Sequence, residues 1–383
     1  MPGVGRHVRG SRDPTVVTSQ ADDDRRWMAR AVALARRGLG RTSPNPPVGA
    51  VLVKRGRLVG EGWHRRAGAE HAEIVALRRA GAAARGATLY LTLEPCTHVG
   101  RTPPCAPAVI AAGVARVVLG VSDPNPRVRG RGIRALRAAG IEVKTGILLV
   151  EASAVSAWWR TAMVKRRPYV ILKLAASLDG RIATASGESR WVSGPPARRM
   201  VHRLRNQVDA VVVGAGTVIA DDPALTCRMR GGRDPLRVIV DGRLRVSPRA
   251  RAIRERSTAP TIVATTASAS TARRRDLTGA GAEVLVLPGR GGRLRLTRLL
   301  QTLSARGIVS VLIEGGADLA AAALRERVVD SLLLVSAPIL IGGEGRAMLG
   351  PLGHRRLASV PRLAGDHVTR LGGDVIRQGT VQY

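Results

Sequence analysis

The feature that most constrains this chain is a set of three metal-ligating side chains in one short stretch. His71 begins the stretch, Cys96 follows a Glu-Pro pair, and Cys105 closes it. One imidazole and two thiolates leave a tetrahedral zinc ion one ligand short, which is what a catalytic zinc site requires. The fourth position can hold water, whose pKa the metal lowers toward neutrality. A fold of this sequence is therefore expected to bring the three side chains together.

A carboxylate accompanies these ligands. Glu73 lies two residues after His71, a spacing that suits proton transfer beside the metal. His-x-Glu followed by Pro-Cys resembles the signature of the zinc-dependent nucleobase deaminases. In that signature the second cysteine comes sooner after the first, whereas here residues 97–104 separate Cys96 from Cys105. The insert indicates a particular branch of these enzymes.

Length and cysteine content limit the remaining possibilities. A chain of 383 residues exceeds a comfortable single core, so two domains are expected. No apolar run is long and charge-free enough to span a bilayer, which predicts no membrane association. Three cysteines exclude a disulfide framework and favour a reducing, cytoplasmic location. Two of them are assigned to zinc, and Cys227 is interpreted as a small buried filler. Residues 1–23 are predicted to be a disordered leader.

The formal net charge of +34 suggests nucleic acid as a partner. The basic residues are nearly all arginine and are spread along the whole chain, however, while phenylalanine is absent. We interpret this pattern as a compositional bias combined with a need to bind phosphates. A physiological nucleic-acid partner is not expected.

Alternating strands and helices over residues 24–146 predict a three-layer α/β domain. A helix predicted over 71–80 would carry His71 and Glu73 in its first turn. Pro95 is expected to mark the start of the next helix. That start would place Cys96 at a helix N-terminus, where the metal-binding thiolate form is favoured.

Five motifs in this half resemble the deaminase half of the bifunctional deaminase-reductase family of riboflavin biosynthesis. They are Asn-Pro-Pro-Val-Gly at 45–49, Gly-Trp-His at 62–64, His-Ala-Glu at 71–73, Glu-Pro-Cys-Thr-His-Val-Gly-Arg-Thr-Pro-Pro-Cys at 94–105 and Asp-Pro-Asn-Pro at 123–126. The resemblance implies a cytidine-deaminase-like fold. One departure is Glu70, where the family more often has proline.

The family's substrate is a small phosphorylated pyrimidine, a diaminopyrimidinone that carries a phosphoribosylamino arm. The resemblance implies that Asn45 and His64 hold its ring or its arm. Arg101 either contacts the phosphate or is a solvated loop charge, and the sequence leaves both readings open. Glu73 would take a proton from water and return it to the substrate.

A second alternating pattern begins at Tyr169, after a connector predicted over 147–167 as one linker helix. Strands separated by helices over 168–383 predict a parallel sheet with crossovers, closed by an edge strand over 375–380. No Gly-x-Gly-x-x-Gly follows the first strand of this half, so the standard dinucleotide fingerprint is absent.

Motifs in this second half resemble the reductase half of the same family, which has a dihydrofolate-reductase-like α/β fold and uses NADPH. They are Lys-Leu-Ala-Ala-Ser-Leu-Asp-Gly at 173–180, Ser-Gly-Glu-Ser-Arg-Trp at 186–191, Gly-Ala-Gly-Thr at 214–217, Ala-Asp-Asp-Pro-Ala-Leu-Thr at 220–226 and Glu-Gly-Gly at 314–316. The implied cofactor residues are Ala175, Trp191, Thr217, Asp221, Gly242, Gly316, Ala317 and Asp318. The implied substrate residues are Ser189, Arg205, Leu225, Arg228 and Glu314.

The chemistry predicted for this half is hydride transfer from NADPH to the ribose carbon, which opens the sugar to a ribityl chain. Lys173 and Asp221 are the candidates for steadying the developing charge, with Glu314 nearby. Lys173 could instead be a structural ion-pair partner. Arg205 and Arg228 suit bidentate phosphate binding.

Two other functions stay open at this point. A nucleic-acid base deaminase could use the same zinc site with a basic appended domain, although aromatic residues make up 2% of the chain and such enzymes need stacking aromatics. Alternatively, the second half could be an inactive reductase-like domain that serves assembly. The family resemblance also implies a homo-oligomer.

Overall fold

The structure, a computed structural model, describes residues 19–100, 102–126 and 128–383. Most of the predicted leader, residues 1–18, lies outside these ranges. Its last residues belong to α1, which spans Gln20–Arg36. The Ser19 side chain accepts a hydrogen bond from the Asp22 N–H, which caps the helix. Acidic residues in its first turn, including Asp23, favour the same start.

The first unit is a five-stranded sheet covered by helices. After α1 its elements are β1 Gly49–Lys54, β2 Arg57–Trp63, α2 Ala72–Ala80, β3 Thr88–Leu93, α3 Cys105–Ala111, β4 Arg116–Val121, α4 Arg131–Ala138 and β5 Glu142–Thr145. The strand order is β2-β1-β3-β4-β5. Strand β1 runs antiparallel to both neighbours, and β3, β4 and β5 are parallel. The expected α/β class of this half is confirmed.

Close backbone approach fixes α1 on this sheet. A Cβ on Gly49 would lie 2.0 Å from the Ala31 carbonyl oxygen, so only glycine lets strand and helix meet here.

A buried charge cluster adds to this packing. Asp24 of α1 receives two guanidinium hydrogen bonds from Arg116 of β4, at 2.7 and 2.9 Å, and one from the Tyr90 hydroxyl at 3.0 Å. Desolvation alone would raise the pKa of Asp24, but hydrogen bonds from Arg116 and Lys144 hold it well below its usual range.

The connector consists of two helices, α5 Leu149–Val155 and α6 Ala157–Lys165, where one helix was predicted. The break lies at Ser156, whose hydroxyl donates to the Ala152 carbonyl oxygen at 3.1 Å, a local bond that competes with helix continuation. The adjacent tryptophans then diverge. Trp159 lies in the hydrophobic core of the first unit, and Trp158 packs against that of the second. The connector therefore ties the two units together.

The second unit is built on a nine-stranded sheet. Its elements are β6 Tyr169–Ala176, β7 Arg181–Ala183, α7 Pro195–Gln207, β8 Ala210–Gly214, α8 Ala215–Asp221, β9 Leu236–Val240, α9 Arg251–Arg254, β10 Thr261–Thr266, α10 Thr271–Gly279, β11 Glu283–Leu287, β12 Gly289–Arg290, β13 Arg293–Leu294, α11 Leu296–Ala305, β14 Ser310–Glu314, α12 Ala317–Arg325, β15 Ser331–Ser336, β16 Arg346–Ala347, β17 Arg362–Leu371 and β18 Asp374–Gln382. The strand order is β11-β10-β9-β8-β14-β6-β15-β18-β17.

The strands from β11 to β15 are parallel, as the alternating sequence pattern predicted. The predicted edge strand over 375–380 is wrong in its position. It belongs to β18, which pairs with β15 on one side and β17 on the other, so β17 forms the edge. Most residues of β17 are exposed and its register shifts between Ala364 and His367, so the strand lacks a regular apolar alternation. That irregularity explains why the sequence pattern missed it.

The loop between α1 and β1 contacts the second unit directly. The Ser43 hydroxyl donates to a carboxylate oxygen of Asp209 at 3.0 Å, and Asp209 is fixed by the backbone N–H groups of Val309 and Ser310. A Cβ on Gly40 would lie 2.5 Å from the Cα of Gln207. The second unit therefore supports a loop of the first. Within the residues described, no helix is both long and apolar enough to cross a membrane.

Candidate active sites

The three expected metal ligands converge in the first unit. His71 immediately precedes α2, Cys96 lies in the loop after β3, and Cys105 is the first residue of α3. Their ligand atoms all lie within 4.8 Å of one another. The His71 Nδ1 is 3.1 Å from the Cys105 Sγ and 3.7 Å from the Cys96 Sγ. One nitrogen and two sulfurs at this spacing fit a zinc ion with an open coordination position.

The cysteines differ from the prediction in one respect. The helix expected to begin at Pro95 begins at Cys105, with Pro104 in extended conformation as its N-cap, so Cys96 lies in a loop. A different interaction favours the Cys96 thiolate. A hydrogen bond from the Cys105 thiol lowers the pKa of Cys96, and the same bond raises the pKa of Cys105. The Cys105 backbone N–H also donates to the Cys96 Sγ at 3.4 Å.

Glu73 lies beside this cluster on the first turn of α2. Its side chain is buried, and its Oε2 has no hydrogen-bond partner among the described residues. Burial raises the pKa of Glu73 to about 7, while the nearby His71 opposes that rise. A buried carboxyl group with one free oxygen and a pKa near neutrality is suited to accept and release a proton.

Asn45 and His64 lie next to the same cluster. The His64 and His71 rings meet edge to face, with their centroids 5.1 Å apart. The Asn45 amide nitrogen is 3.1 Å from the His64 Nε2, and the His64 Nδ1 is 3.1 Å from the Glu70 carbonyl oxygen. An amide nitrogen only donates and a carbonyl oxygen only accepts, so His64 carries its proton on Nδ1 and is neutral. Burial lowers the pKa of His64, which agrees with that state.

Four further residues in or next to the motifs bear on this centre. Arg101, for which a phosphate contact and a solvated loop charge were both left open, lies outside the described residues. Glu70, which replaces the family's usual proline, turns its carboxylate to Arg78 at 2.8 Å. Sequence reasoning missed Thr102, whose Oγ1 is 3.1 Å from the His71 Nε2 and so orients the imidazole. It also missed Glu94, whose carboxylate accepts from the Gly132 N–H at 3.0 Å at the start of α4. Both lie inside the 94–105 motif, but no pattern in that motif identifies their partners.

The second unit contains a cavity of about 1310 Å³ at the carboxyl ends of β6, β8, β9 and β14. Every residue assigned from the sequence to the reductase site lines it. These residues are Lys173, Ala175, Ser189, Trp191, Arg205, Thr217, Asp221, Leu225, Arg228, Gly242, Glu314, Gly316, Ala317 and Asp318. Parallel α/β sheets usually bind ligands at this edge.

Two glycines shape the part of the cavity that precedes α12. Gly315 and Gly316 have φ values of +72° and +79°, which other residues rarely adopt. A Cβ on Gly316 would lie 3.2 Å from the Thr217 Oγ1. The bare backbone before α12 thus leaves room for a phosphate group, which agrees with NADPH as the cofactor.

The charged groups in this cavity are arranged differently from the prediction. The Arg205 Nε and Nη2 donate to the two Glu314 carboxylate oxygens at 2.6 and 2.8 Å. The two guanidinium nitrogens that were expected to bind phosphate are therefore paired with a carboxylate. Desolvation alone would raise the pKa of Glu314, but Arg205 holds it below its usual value. Arg228, by contrast, makes no ion pair in the described part of the chain and remains a candidate for phosphate binding.

Lys173 lies close to this pair without joining it. No ion pair of Lys173 occurs within the described residues, which argues against the structural ion-pair reading. Burial lowers the pKa of Lys173, although Glu314 acts in the opposite direction.

Asp221 accepts a hydrogen bond from the Ser189 hydroxyl at 2.9 Å. Cys227 is buried, with its Sγ donating to the His202 carbonyl oxygen at 3.5 Å, which agrees with a filler.

Family models match both units. Residues 21–121 match the cytidine and deoxycytidylate deaminase zinc-binding region. Residues 168–377 match the RibD C-terminal domain, which covers more than half of the chain. The domain boundaries inferred from the sequence stay a prediction.

Similar proteins span nearly the whole chain. The riboflavin biosynthesis protein RibD of Escherichia coli is 43% identical over 365 residues, covering 92% of this chain and 98% of that protein. The Bacillus amyloliquefaciens protein of the same name is 42% identical and covers 91% of this chain and 94% of its own length.

Solved structures agree with these sequence relatives. RibD of Acinetobacter baumannii has a TM-score of 0.85 at 41% identity and covers 95% of this chain and 100% of its own. A diaminohydroxyphosphoribosylaminopyrimidine deaminase/5-amino-6-(5-phosphoribosylamino)uracil reductase from Thermotoga maritima has a TM-score of 0.82 at 37% identity, covering 94% of this chain and 99% of its own.

Proposed function

This chain belongs to the RibD family of riboflavin biosynthesis proteins, and we propose that its two sites divide the family's two reactions between them. The protein is a bifunctional deaminase and reductase that uses zinc and NADPH. The first unit removes an amino group by hydrolysis from a diaminopyrimidinone that carries a phosphoribosylamino arm. The second unit then reduces the ribosyl arm to ribityl. The observation that carries the division is that the three candidate metal ligands cluster in the first unit, whereas the predicted reductase residues line one cavity of the second.

In the deaminase unit, His71, Cys96 and Cys105 would hold the zinc ion. Zinc supplies Lewis acidity, which makes a water molecule a nucleophile at neutral pH. The free Oε2 of Glu73 would carry one proton of the attacking water to a ring nitrogen and the other to the departing amine, which leaves as ammonia. The neutral His64, held between Asn45 and the Glu70 carbonyl oxygen, would position the pyrimidine.

In the reductase unit, NADPH supplies the hydride. Lys173 would face the ribose, since its low pKa and free amine suit proton transfer to an oxygen of the opening sugar. The Arg205–Glu314 pair lies beside Lys173 and would orient it together with the sugar hydroxyls. Arg228 would bind the substrate phosphate, and Asp221, fixed by Ser189, would line the cofactor.

The two alternative functions receive less support. All the residues predicted to bind cofactor and substrate in the second unit line one cavity. A domain that served only assembly would not need this arrangement. A nucleic-acid deaminase would show polynucleotide affinity that falls steeply with salt, whereas a monophosphate site would not. That salt titration remains a direct way to separate the two.

Three finer statements are part of the proposal. We place the deaminase domain at 24–146, the linker at 147–167 and the reductase domain at 168–383. We also propose a homo-oligomer and a cytoplasmic location. The exposed edge strand β17 supports association through the reductase unit, because an edge strand offers unpaired backbone groups to a second copy. Sedimentation of the zinc-loaded protein measures the oligomeric state.

The test of the function follows substrate mass. The purified protein with zinc is incubated with the diaminopyrimidinone substrate, with and without NADPH. Without NADPH we expect exchange of one amino group for oxygen and no further change. With NADPH we expect the additional gain of a hydride and a proton, together with NADPH oxidation. Reduction without deamination, or neither reaction, would contradict the proposal.

A further inference from the structure

One end of the reductase cavity lies far from the catalytic lysine. Lys173 is on β6, and Asp241 and Gly242 directly follow β9. Strands β14 and β8 separate β6 from β9, and neighbouring strands lie about 4.8 Å apart. The β9 end of the cavity is therefore roughly 14 Å from the hydride-transfer end. A dinucleotide whose nicotinamide lies near Lys173 would extend its adenosine toward β9.

Two glycine loops touch at that end. A Cβ on Gly242 would lie 1.9 Å from the Gly292 carbonyl oxygen, so the loop after β9 and the turn between β12 and β13 require glycine at their contact. The Arg243 side chain passes over Gly292, where an added Cβ would meet its Cγ at 2.7 Å. The contact brings Arg243 and Arg293, the residues that follow the two glycines, to the same rim of the cavity.

These two arginines have no compensating charge. Neither makes an ion pair in the part of the chain that the structure describes. Their basic neighbours on the rim differ. Arg245 lies 3.8 Å from an Asp241 carboxylate oxygen, and Arg251 pairs with Glu255 at 2.7 Å. Two exposed guanidinium groups at one edge of a cavity attract a doubly charged anion such as a phosphate monoester.

The carboxylate that lines this end of the cavity is engaged by its own loop. A carboxylate after a strand can accept a hydrogen bond from an adenosine ribose 2′-hydroxyl, as in NADH sites, whereas a nearby arginine accommodates a 2′-phosphate. Asp241 has the right residue type and place, but its side chain is buried, and its Oδ2 accepts from the Val246 N–H at 2.8 Å. Asp241 thus fixes its own loop through Oδ2, while its Oδ1 lies 3.8 Å from the Arg245 Nε.

We propose that Arg243 and Arg293 bind the 2′-phosphate of NADPH and make this chain select NADPH over NADH. The inference rests on the proposed function, in which this cavity takes the coenzyme. It assigns the choice of coenzyme to the Gly242–Gly292 contact and to the arginines that follow it. The selection would then act in binding and not in the chemical step.

The test compares two double variants with the same loss of charge. R243A/R293A removes the proposed phosphate ligands. R249A/R290A removes one exposed arginine from each of the same two segments, and neither of these lines the cavity. Dissociation constants for NADPH, NADH, 2′,5′-ADP and 5′-AMP are measured by titration calorimetry on the zinc-loaded protein.

For the wild type we expect tighter binding of NADPH than NADH, and of 2′,5′-ADP than 5′-AMP. In R243A/R293A the dissociation constants of NADPH and 2′,5′-ADP should rise about tenfold or more, because two charge-assisted contacts are lost. Those of NADH and 5′-AMP should stay within about twofold. The control variant should bind all four ligands like the wild type.

Equal weakening of NADPH and NADH would overturn the inference, as would an unchanged preference in R243A/R293A or the same loss in the control. A wild type that binds NADPH and NADH equally would also overturn it while leaving the reductase function intact. A wild type that binds neither coenzyme would instead refute the proposed reductase function, on which the inference rests.

Discussion

The deaminase centre takes its metal-binding side chains and its carboxylate from residues 71–105, whereas the reductase cavity collects side chains from the ends of four strands between residues 173 and 318. In the first centre a helix start, a loop and a second helix start bring three ligand atoms within 4.8 Å of one another. In the second, the order of the strands brings distant residues to one edge. Chemistry should therefore be concentrated in single residues of the first site and shared among several in the second.

The largest effect expected from this contrast is that of Glu73→Gln. The amide cannot shuttle a proton, so deamination should fall by about 10²- to 10⁴-fold, whereas zinc content and reduction of the deaminated intermediate should not change. Activity assays with each substrate, together with elemental analysis, check this. Glu70→Gln is the matched control, because Glu70 is an exposed carboxylate whose partner is Arg78. Loss of zinc from Glu73→Gln would show that Glu73 holds the metal site together and would refute its role as shuttle.

The next largest effect concerns the scaffold of the same centre. Asp24→Asn removes the fully buried carboxylate that pairs with Arg116, which should destabilise the deaminase unit by about 3–5 kcal/mol. Glu61→Gln, which breaks the exposed pair with Arg30, should cost less than about 1 kcal/mol. Denaturant unfolding measures both. Equal effects of the two variants would mean that the buried cluster does not anchor α1.

The pH dependence of this stability has a definite sign. The pKa of Asp24 is depressed in the folded state, so its contribution is present above the unfolded pKa of about 3.9 and is lost as pH falls through the folded pKa. The wild-type deaminase unit should thus lose stability below about pH 4 more steeply than Asp24→Asn. Parallel acid-unfolding curves would contradict this.

Lys173→Met tests the shared site with a smaller expected effect. Reduction should fall about a hundredfold while deamination is unchanged, because the variant loses the amine but keeps the length of the side chain. Steady-state NADPH oxidation with the deaminated intermediate measures it. Since Lys173 makes no ion pair among the described residues, the melting temperature should stay near that of the wild type. A large loss of stability with little loss of rate would restore the structural reading.

The smallest effect tests whether the two units are independent. Ser43→Ala removes the hydrogen bond to Asp209 two residues before Asn45, at a cost of about 0.5–1.5 kcal/mol. We expect the deaminase KM to rise about threefold, with kcat and reduction unchanged. Arg41→Ala breaks another contact across the same boundary, with Asn206, and should have little effect because that pair is exposed. A fall in reduction by Ser43→Ala would show that the boundary also affects the second site.

Sequence patterns predicted the α/β class of both halves because strand and helix periodicities are local. The pairing of strands across a sheet was harder to predict, because it depends on residues that are far apart in sequence. The final strand was placed at the sheet edge, since the irregular and exposed β17 carries no apolar alternation. The Pro95 signal was assigned to a helix start, but the chain continues as a loop to Pro104 before α3 begins. Proline marks a possible helix start without saying which of several prolines is used.

The site residues show the same contrast between local patterns and long-range contacts. The motif around His71 predicted three metal ligands from their residue types, and the structure brings these side chains together. The ion pair between Arg205 and Glu314 could not be predicted, since the two residues lie on different elements that are far apart in sequence. The same holds for Arg243 and Arg293, which only the contact between two glycines brings together. Such partners depend on three-dimensional packing and leave no local signal.

Mixing the two single-site variants tests most directly whether this chain has two separate active sites. Glu73→Gln and Lys173→Met are combined with zinc, NADPH and the diaminopyrimidinone substrate, and product mass is followed. Neither variant alone should form the ribityl product at an appreciable rate. The mixture should form it, because one variant supplies the deaminated intermediate and the other reduces it. Absence of that product from the mixture would contradict two independent sites.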